Sequence, residues 1–292
     1  MKVVTIINYC TNDYRFLRKC ILECSIFSEK IIVPVCDHFF DGSEENRDLL
    51  QASYQENPET LFLEYAYLKD DFYSPYVERE KDDPQGYQLW HSASRYIGFL
   101  YAGECESILF VDVDEIIEGD KMLEYLEHSS PMNAVRFQAY YYFREARFRA
   151  TGKHQAPLLV KKEIVTPLMV YNPYERFGLL QKIPERKREY EVGVNGKPFV
   201  HHYSGVKTKE EWLKKANSWG HRGELDFPKL IEEEYAQEFQ GKDFTYGFSY
   251  ETVTPYFDPF IVSSHKKGPS ANVLKLSKED VVKKELEYSF GL

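Results

Sequence analysis

Residues 106–120 read ESILFVDVDEIIEGD, with the apolar run Ile108 to Val111 leading straight into the carboxylates Asp112, Asp114 and Glu115. Such a run is the mark of a buried strand, and the negative charge at its end calls for a counter-charge. Asp112 and Asp114 alternate around Val113, so in extended geometry both carboxylates point to one side. Two carboxylates on one side repel unless a cation sits between them, and hard oxygen ligands suit Mg²⁺ or Mn²⁺. A solvated loop with helix-capping acids would show the same letters; what favours metal chemistry is the fully apolar strand in front of them, because context confirms a short motif.

The elements that must carry these groups follow from periodicity. VVTIINY (3–9) is an apolar, β-branched run and reads as a strand. In DYRFLRKCILECSIF the residues Phe16, Leu17, Cys20, Ile21, Cys24 and Phe27 form a helical stripe, with Thr11 or Asn12 as the expected N-cap. KIIVPVCD is a second strand, and Pro34 within it argues for an edge or a bulge. Asp41-Gly42 marks a turn, Ser43 with Glu44 and Glu45 reads as a capped helix start, and LFLEYAY (61–67) is a third strand. After a polar loop, QLWHSASRYIGFLYAG places Leu89, Ala93, Tyr96 and Leu100 on one helix face, with Gly103 past its end, and ESILFVDVD supplies the fourth strand. Strands alternating with helices predict a parallel sheet covered on both faces.

Beyond Asp120 the pattern changes. DKMLEYLEH is a short helix, while AVRFQAYYYFREARFRA and APLLVKKEIVTPLMVYN read as long, partly alternating strands that extend the sheet in antiparallel fashion. PFVHHYS (198–204) is another strand, and TKEEWLKKANSWGHRG a helix opened by a Thr208/Glu211 capping box. The remaining 70 or so residues are expected to pack as helices. This predicts a mixed α/β fold organised as 1–120, a ligand-binding half; 121–225, a second half of the same domain; and 226–292, a helical extension.

In an open α/β sheet, ligands bind beyond the carboxyl ends of the strands. The first candidates are therefore Asn8 and Tyr9, Asp37, and Asp112 with Asp114. Arg95, in the helix before the fourth strand, has a guanidinium that forks onto phosphate oxygens. The net charge of −10, with no dense Lys/Arg block, excludes general duplex nucleic-acid binding. The 23 Tyr and 20 Phe suit sites for flat ligands or the apolar faces of sugars. Five cysteines with neither zinc nor disulfide spacing predict a reduced, cytoplasmic chain, with Cys20 and Cys24 as small buried hydrophobes. No stretch has the length of an integral membrane segment.

Through VVTIINY, KIIVPVCDHFFDGSEE and ILFVDVDE the chain resembles a nucleotide-sugar-dependent glycosyltransferase of the GT-A (Rossmann-like) fold, nearest in style to the family 2-like enzymes. PFVHHYSGVKTKEEWLKKANSWGH likewise resembles a C-terminal segment of their relatives. The resemblance implies a UDP- or GDP-sugar donor and a glycan, lipid-linked or protein acceptor. It implies that Asp37 meets the base, Asp112 the ribose or the metal, and Asp114 the Mn²⁺ or Mg²⁺ that bridges the diphosphate. It also implies a late histidine as metal ligand: His202, or else His201, since neighbours on a strand face opposite sides. One departure stands out. His38-Phe39-Phe40 separates Asp37 from Asp41-Gly42-Ser43, where the family runs directly into its turn. Lys207, Lys214, Lys215, His221 and Arg222 are further candidates for the diphosphate or acceptor. The catalytic base stays open among Glu145, Glu175, Glu185, Glu189 and Glu191. Alternative readings are a haloacid dehalogenase-type phosphotransferase, which also places Asp-x-Asp after an apolar strand, and a non-catalytic nucleotide- or carbohydrate-binding module.

Overall fold

Val3 and Ile7 of the first strand pack into one apolar cluster while Val4 and Ile6 pack into another on the opposite face of the sheet. The fourth strand repeats this, with Leu109 and Val111 on the first side and Ile108 and Phe110 on the second. An unbroken apolar run is what a strand buried on both faces requires. The computed structural model describes the chain apart from residues 40–41, 69–70, 75, 77–86, 129–132, 219–225, 262–270 and 291–292, and apart from the side chains of 87–89, 91 and 217–218.

In chain order the first half comprises β1 (Val3–Asn8), α1 (Tyr14–Cys24), β2 (Lys30–Cys36), α2 (Arg47–Glu56), β3 (Leu61–Tyr65), α3 (Tyr87–Leu100) and β4 (Ser107–Asp112). There follow β5 (Glu115–Ile117), α4 (Gly119–His128), β6 (Ala134–Phe143), β7 (Glu145–Lys161), α5 (Pro167–Val170), α6 (Glu175–Gln181), β8 (Arg188–Glu191), β9 (Val200–Gly205) and α7 (Lys209–Ser218). The last part holds α8 (Phe227–Tyr235), β10 (Tyr250–Thr252), β11 (Asn272–Leu276) and α9 (Lys278–Phe290). One sheet runs through all of it in the order β11-β3-β2-β1-β4-β7-β6-β9-β5, with β10 attached to β7 and β8 to β6. From β11 to β4 every pairing is parallel; β7 then enters antiparallel against β4. Helices α1, α2 and α4 cover one face, and α3, α5, α6 and α9 the other. This is the mixed, mainly parallel α/β architecture expected from the sequence.

Several local expectations change. The first helix is preceded by a 3-10 turn, Thr11–Asp13, which displaces Thr11 and Asn12 from the cap position. Asn46, not Ser43, caps α2, its side chain accepting from Leu49 N at 3.1 Å. Strand β2 lies inside the sheet despite Pro34; pairing with β1 ends at Ile32, two residues earlier, so the missing N–H breaks no rung on that side. The stretch after Lys161 turns away from the sheet: Pro167 opens the short helix α5 where a strand was expected. The final segment supplies α8 and α9 as expected and, besides them, the strands β10 and β11. The Thr208/Glu211 capping box is present in both directions, at 2.7 and 3.3 Å. Cys20 and Cys24 are fully buried free thiols. Among the described residues no helix is long and apolar enough to cross a membrane.

Helix α3 sits close on the sheet because Gly98 has no side chain: a Cβ there would lie 2.6 Å from Ile6 Cγ2 and 3.0 Å from Pro34 Cγ. Gly98→Ala gains about 1 kcal/mol of helix propensity but meets an overpacking cost of about 1–3 kcal/mol. Ile6 is itself fully buried and has little room to yield. The variant is expected to lower the denaturant midpoint at unchanged m-value; an unchanged or raised midpoint would contradict this packing.

Candidate active site

The chain leaves β1 toward β2 on one side and returns to β4 on the other, so the carboxyl ends of β1 and β4 flank a crevice of the kind that holds ligands in open sheets. A cavity of about 280 Å³ lies there. Its lining runs from Cys36, His38, Phe39, Glu45 and Tyr65 past Asn8, Tyr9, Cys10, Asn12 and Asp13 to Asp112, Val113, Asp114, Glu175, Arg176, His202, Ser204, Lys215 and Tyr246. The ends of β1, β2, β3, β4 and β9 thus all contribute.

Asp112 closes β4 opposite Asn8 in the last rung of the β1–β4 ladder. Its Oδ1 accepts from Asn8 Nδ2 at 3.1 Å and from Arg95 Nη2, and its Oδ2 accepts from Arg176 Nη2 at 2.7 Å. Asn8 is fixed in turn by Ser94, whose hydroxyl donates to Asn8 Oδ1 at 2.6 Å. Arg176 also forks onto the fully buried Glu115 at 2.6 and 2.9 Å, and Glu115 accepts from the Asp112 amide at 2.9 Å. The second arm of Arg95 meets Glu175 at 2.8 Å. Arg95 is 2% exposed and does not line the cavity. The guanidinium expected to meet a phosphate is engaged here by two carboxylates, Asp112 and Glu175. Two guanidinium groups balance the charge of Asp112, whereas Asp114 meets neither of them.

The extended geometry expected for Asp112-Val113-Asp114 does not hold. Strand β4 ends at Asp112, and Val113-Asp114 form a turn into β5. That turn delivers Asp114 to the cavity by another route: β5 pairs antiparallel with β9, setting Glu115 opposite His202, and Tyr203 N donates to the Asp114 carbonyl at 2.8 Å. His202 Nε2 lies 3.5 Å from Asp114 Oδ1. Burial pushes the Asp114 carboxyl up, but the hydrogen bond and charge of His202 outweigh it and hold it below the usual carboxylate range. His202, not His201, is the histidine beside Asp114. His201 points to the other face, with Tyr142 Oη at 2.7 Å from its Nδ1 and Glu118 at 3.1 Å from its Nε2.

An imidazole nitrogen and a carboxylate oxygen facing each other are a donor set that fits a divalent ion. Among the described residues no third His, Cys, Asp or Glu joins them. His202 Nδ1 is buried without a hydrogen-bond partner among the described residues. Its neighbour is the His154 ring, at 5.1 Å, which burial and the charge of His202 pull down to about 3, so it is neutral at ordinary pH.

At the end of β2, Asp37, the residue expected at the base, is engaged by its own neighbours. Its Oδ1 accepts from Tyr67 N at 2.6 Å and from His38 Nδ1 at 2.7 Å, tying the end of β2 to the chain after β3, while Cys36 and His38 on either side reach the cavity. Glu45 is the carboxylate there, bonded to Thr11 N at 3.3 Å and to the Thr11 hydroxyl. Of the other cations, Lys215 lines the cavity from α7, Lys207 is buried in an ion pair with Asp13, and Lys214 lies 5.2 Å from the Phe39 ring. His221 and Arg222 fall outside the described residues. Of the glutamates left open as base, Glu175 alone lines the cavity.

Sequence reasoning missed Arg176, Glu45, His154 and Tyr246. Arg176 had a signal in retrospect, since Glu115 is an acid inside an apolar stretch and needs a buried cation. Glu175 is held at φ 52° at the start of α6. Asn172 Nδ2 donates to its carbonyl at 2.9 Å, and Gly178 leaves room for that bracket, since a Cβ there would come within 2.0 Å of Asn172 Oδ1. Backbone strain over-determined in this way is characteristic of functional sites.

Two outcomes are expected. Arg95→Met leaves Asp112 and Glu175 short of a cation in a buried setting, and chemical denaturation is expected to show a loss of about 3–5 kcal/mol; a near-neutral effect would mean the network is dispensable. Burial, against the Thr11 hydrogen bonds, pushes Glu45 from its ordinary 4.5 up to about 7. The folded chain then holds a proton that the unfolded chain releases, so this contribution to stability is full below pH 4.5 and is lost as pH rises to about 7. Denaturation midpoints across that window are expected to fall less steeply for Glu45→Gln than for the parent, and parallel curves would contradict this.

No family model matches the chain, and no curated protein matches it. Among solved structures it is similar to glucosyl-3-phosphoglycerate synthase from Mycobacterium tuberculosis, solved with Mn²⁺, uridine diphosphate and phosphoglyceric acid, at 12% identity, 88% of each chain covered and a TM-score of 0.38. It is similar to S. aureus TarS, solved with UDP-GlcNAc, at 10% identity, 80% of this chain and 73% of that one covered and a TM-score of 0.41. The inositol-1-phosphate CTP transferase from T. maritima is matched as well, at 10% identity, 80% and 97% covered and a TM-score of 0.41. Likeness of this strength does not separate sugar transfer from nucleotidyl transfer, and the function must be read from the chain's own residues.

Proposed function

We propose that the chain is a metal-dependent glycosyltransferase of the GT-A type, moving a sugar from a UDP- or GDP-sugar to a glycan, lipid-linked or protein acceptor. The observation that carries this reading is the pairing of Asp114 with His202 in a cavity at the topological switch point of the sheet. A departing nucleoside diphosphate gathers negative charge in the transition state, and a Mn²⁺ or Mg²⁺ ion held by Asp114 and His202 would supply the electrostatic stabilisation this needs. Lys215, half-buried and lining the same cavity, offers a second cation to the diphosphate. Asp112, held by the two arginines, and Asn8, held by Ser94, would present a fixed polar edge to the ribose. His38, Phe39, Glu45 and Tyr65 form the pocket left for the base, in place of Asp37 alone.

The phosphotransferase reading needs Asp112 as a nucleophile with a free oxygen. Both of its oxygens are engaged, by Asn8 and Arg95 on one side and Arg176 on the other, so the geometry does not favour it.

The test is thermal unfolding with a panel of nucleoside diphosphates and their sugars, with and without Mn²⁺. A matching ligand at about 100 times its Kd stabilises by about 2.7 kcal/mol, roughly 5 °C for a chain of this size. Asp114→Asn is expected to abolish the metal-dependent part while leaving the unliganded melting temperature within a few degrees. If no nucleotide stabilises the parent chain in a metal-dependent manner, the reading fails.

A further inference from the structure

The segment between α8 and β10 contains a small hairpin that the reaction as so far described does not use. It is closed by a bridge between Lys242 and Ser249 and organised around Asp243, which is 4% exposed. Asp243 Oδ1 accepts from the amides of Thr245 at 2.8 Å, Tyr246 and Gly247 at 3.2 Å; Oδ2 accepts from Phe248 N at 2.9 Å and the Tyr250 hydroxyl at 3.0 Å. Gly247 takes φ 67°, which turns the chain directly after Tyr246. Phe248 packs over Gly152 of β7, where a Cβ would lie 3.2 Å from its ring, so the hairpin is seated on the sheet by a residue that leaves space for it.

The product of this construction is the placement of one ring. Tyr246 stands edge-on to Tyr141 at 5.2 Å, stacks with Phe248 at 5.4 Å and meets His154 at 5.2 Å. It nevertheless stays 48% exposed and lines the cavity at the end shared with Asp114, His202, Ser204 and Lys215. A carboxylate saturated by main-chain amides makes a rigid loop, and a rigid aromatic face half open to a cavity suits a ring with one apolar side.

We propose that Tyr246 is a specificity-determining wall of this cavity, on which the pyranose ring of the donor stacks, and that Asp243 is the positioning residue that holds it there. This rests on the nucleotide-sugar reading. The ring lies next to the Asp114/His202 end, where the diphosphate charge is met, and the sugar is the group bonded to that diphosphate.

Calorimetric titration of the full chain, with Mn²⁺ present, separates the possibilities when each variant is given both the bare nucleoside diphosphate and its sugar-linked form. Tyr246→Ala is expected to weaken the sugar-linked ligand by about five- to tenfold, as loss of an aromatic contact does, and to leave the bare diphosphate within about twofold. Tyr246→Phe keeps both affinities, and Asp243→Asn shifts them in the same direction as Tyr246→Ala. Should the alanine variant disturb the hairpin, Tyr246→Leu, which keeps bulk without the aromatic face, carries the same comparison. Equal weakening of both ligands, or none of either, overturns the proposal. So does unchanged donor affinity with slowed transfer, which would put the ring on the acceptor side. A parent chain that binds no nucleotide at all overturns the nucleotide-sugar reading itself.

Discussion

Two buried guanidinium groups hold three carboxylates at the carboxyl edge of this sheet, and the rest of the site is arranged around that balance. Arg95 and Arg176 between them meet Asp112, Glu115 and Glu175. Taking ions of this kind out of water costs several kcal/mol each, and the cost is offset only when every charge is matched in good geometry. The elements that supply them, α3, β4, β5 and α6, are therefore tied together by charge as well as by apolar contact. Asp114, one turn beyond Asp112, belongs to none of these pairs and remains available to the cavity beside His202.

This division explains why a single DxD stretch does two jobs. Its first aspartate is held between two buried guanidinium groups, and its second faces His202 across the cavity. The separation depends on β4 stopping at Asp112, because an extended Val113 would have carried both side chains to the same surface. Val113 N still closes the last rung on the Asn8 carbonyl at 3.0 Å, and the chain then turns into β5, which pairs with β9 in the opposite sense.

The parallel half of the fold was legible because strands buried on both faces leave continuous apolar runs, and α1 and α3 carry clear stripes. Asn8 and Asp112 could be singled out because they close β1 and β4, where position along the chain translates into position at the crevice. Arg176, Glu45 and Tyr246 were not, since each comes from a segment whose path is set by tertiary contacts: a strained helix start, a loop tied to Thr11, and a hairpin built on one buried aspartate. Arg95 and Asp37 lie near the edge, and both have partners that the sequence does not reveal. Sequence shows that a charged group is present and does not show which neighbour neutralises it. The hairpin was hidden for a related reason, as an Asp followed by Thr, Tyr and Gly looks like many turns until the amides converge on it.

The antiparallel contact between β5 and β9 sets Glu115 against His202 and Ile116 against His201 over a strand of three residues. Because side chains alternate, a slip of one residue in that short ladder would exchange the two histidines, sending His201 to the cavity and His202 into the Tyr142 and Glu118 cluster. The ladder thus works as an alignment key between the two halves of the molecule. Insertions and deletions are tolerable in the loops that lead to it, but the distance in phase between Asp114 and His202 cannot change by an odd number of residues without dismantling the site.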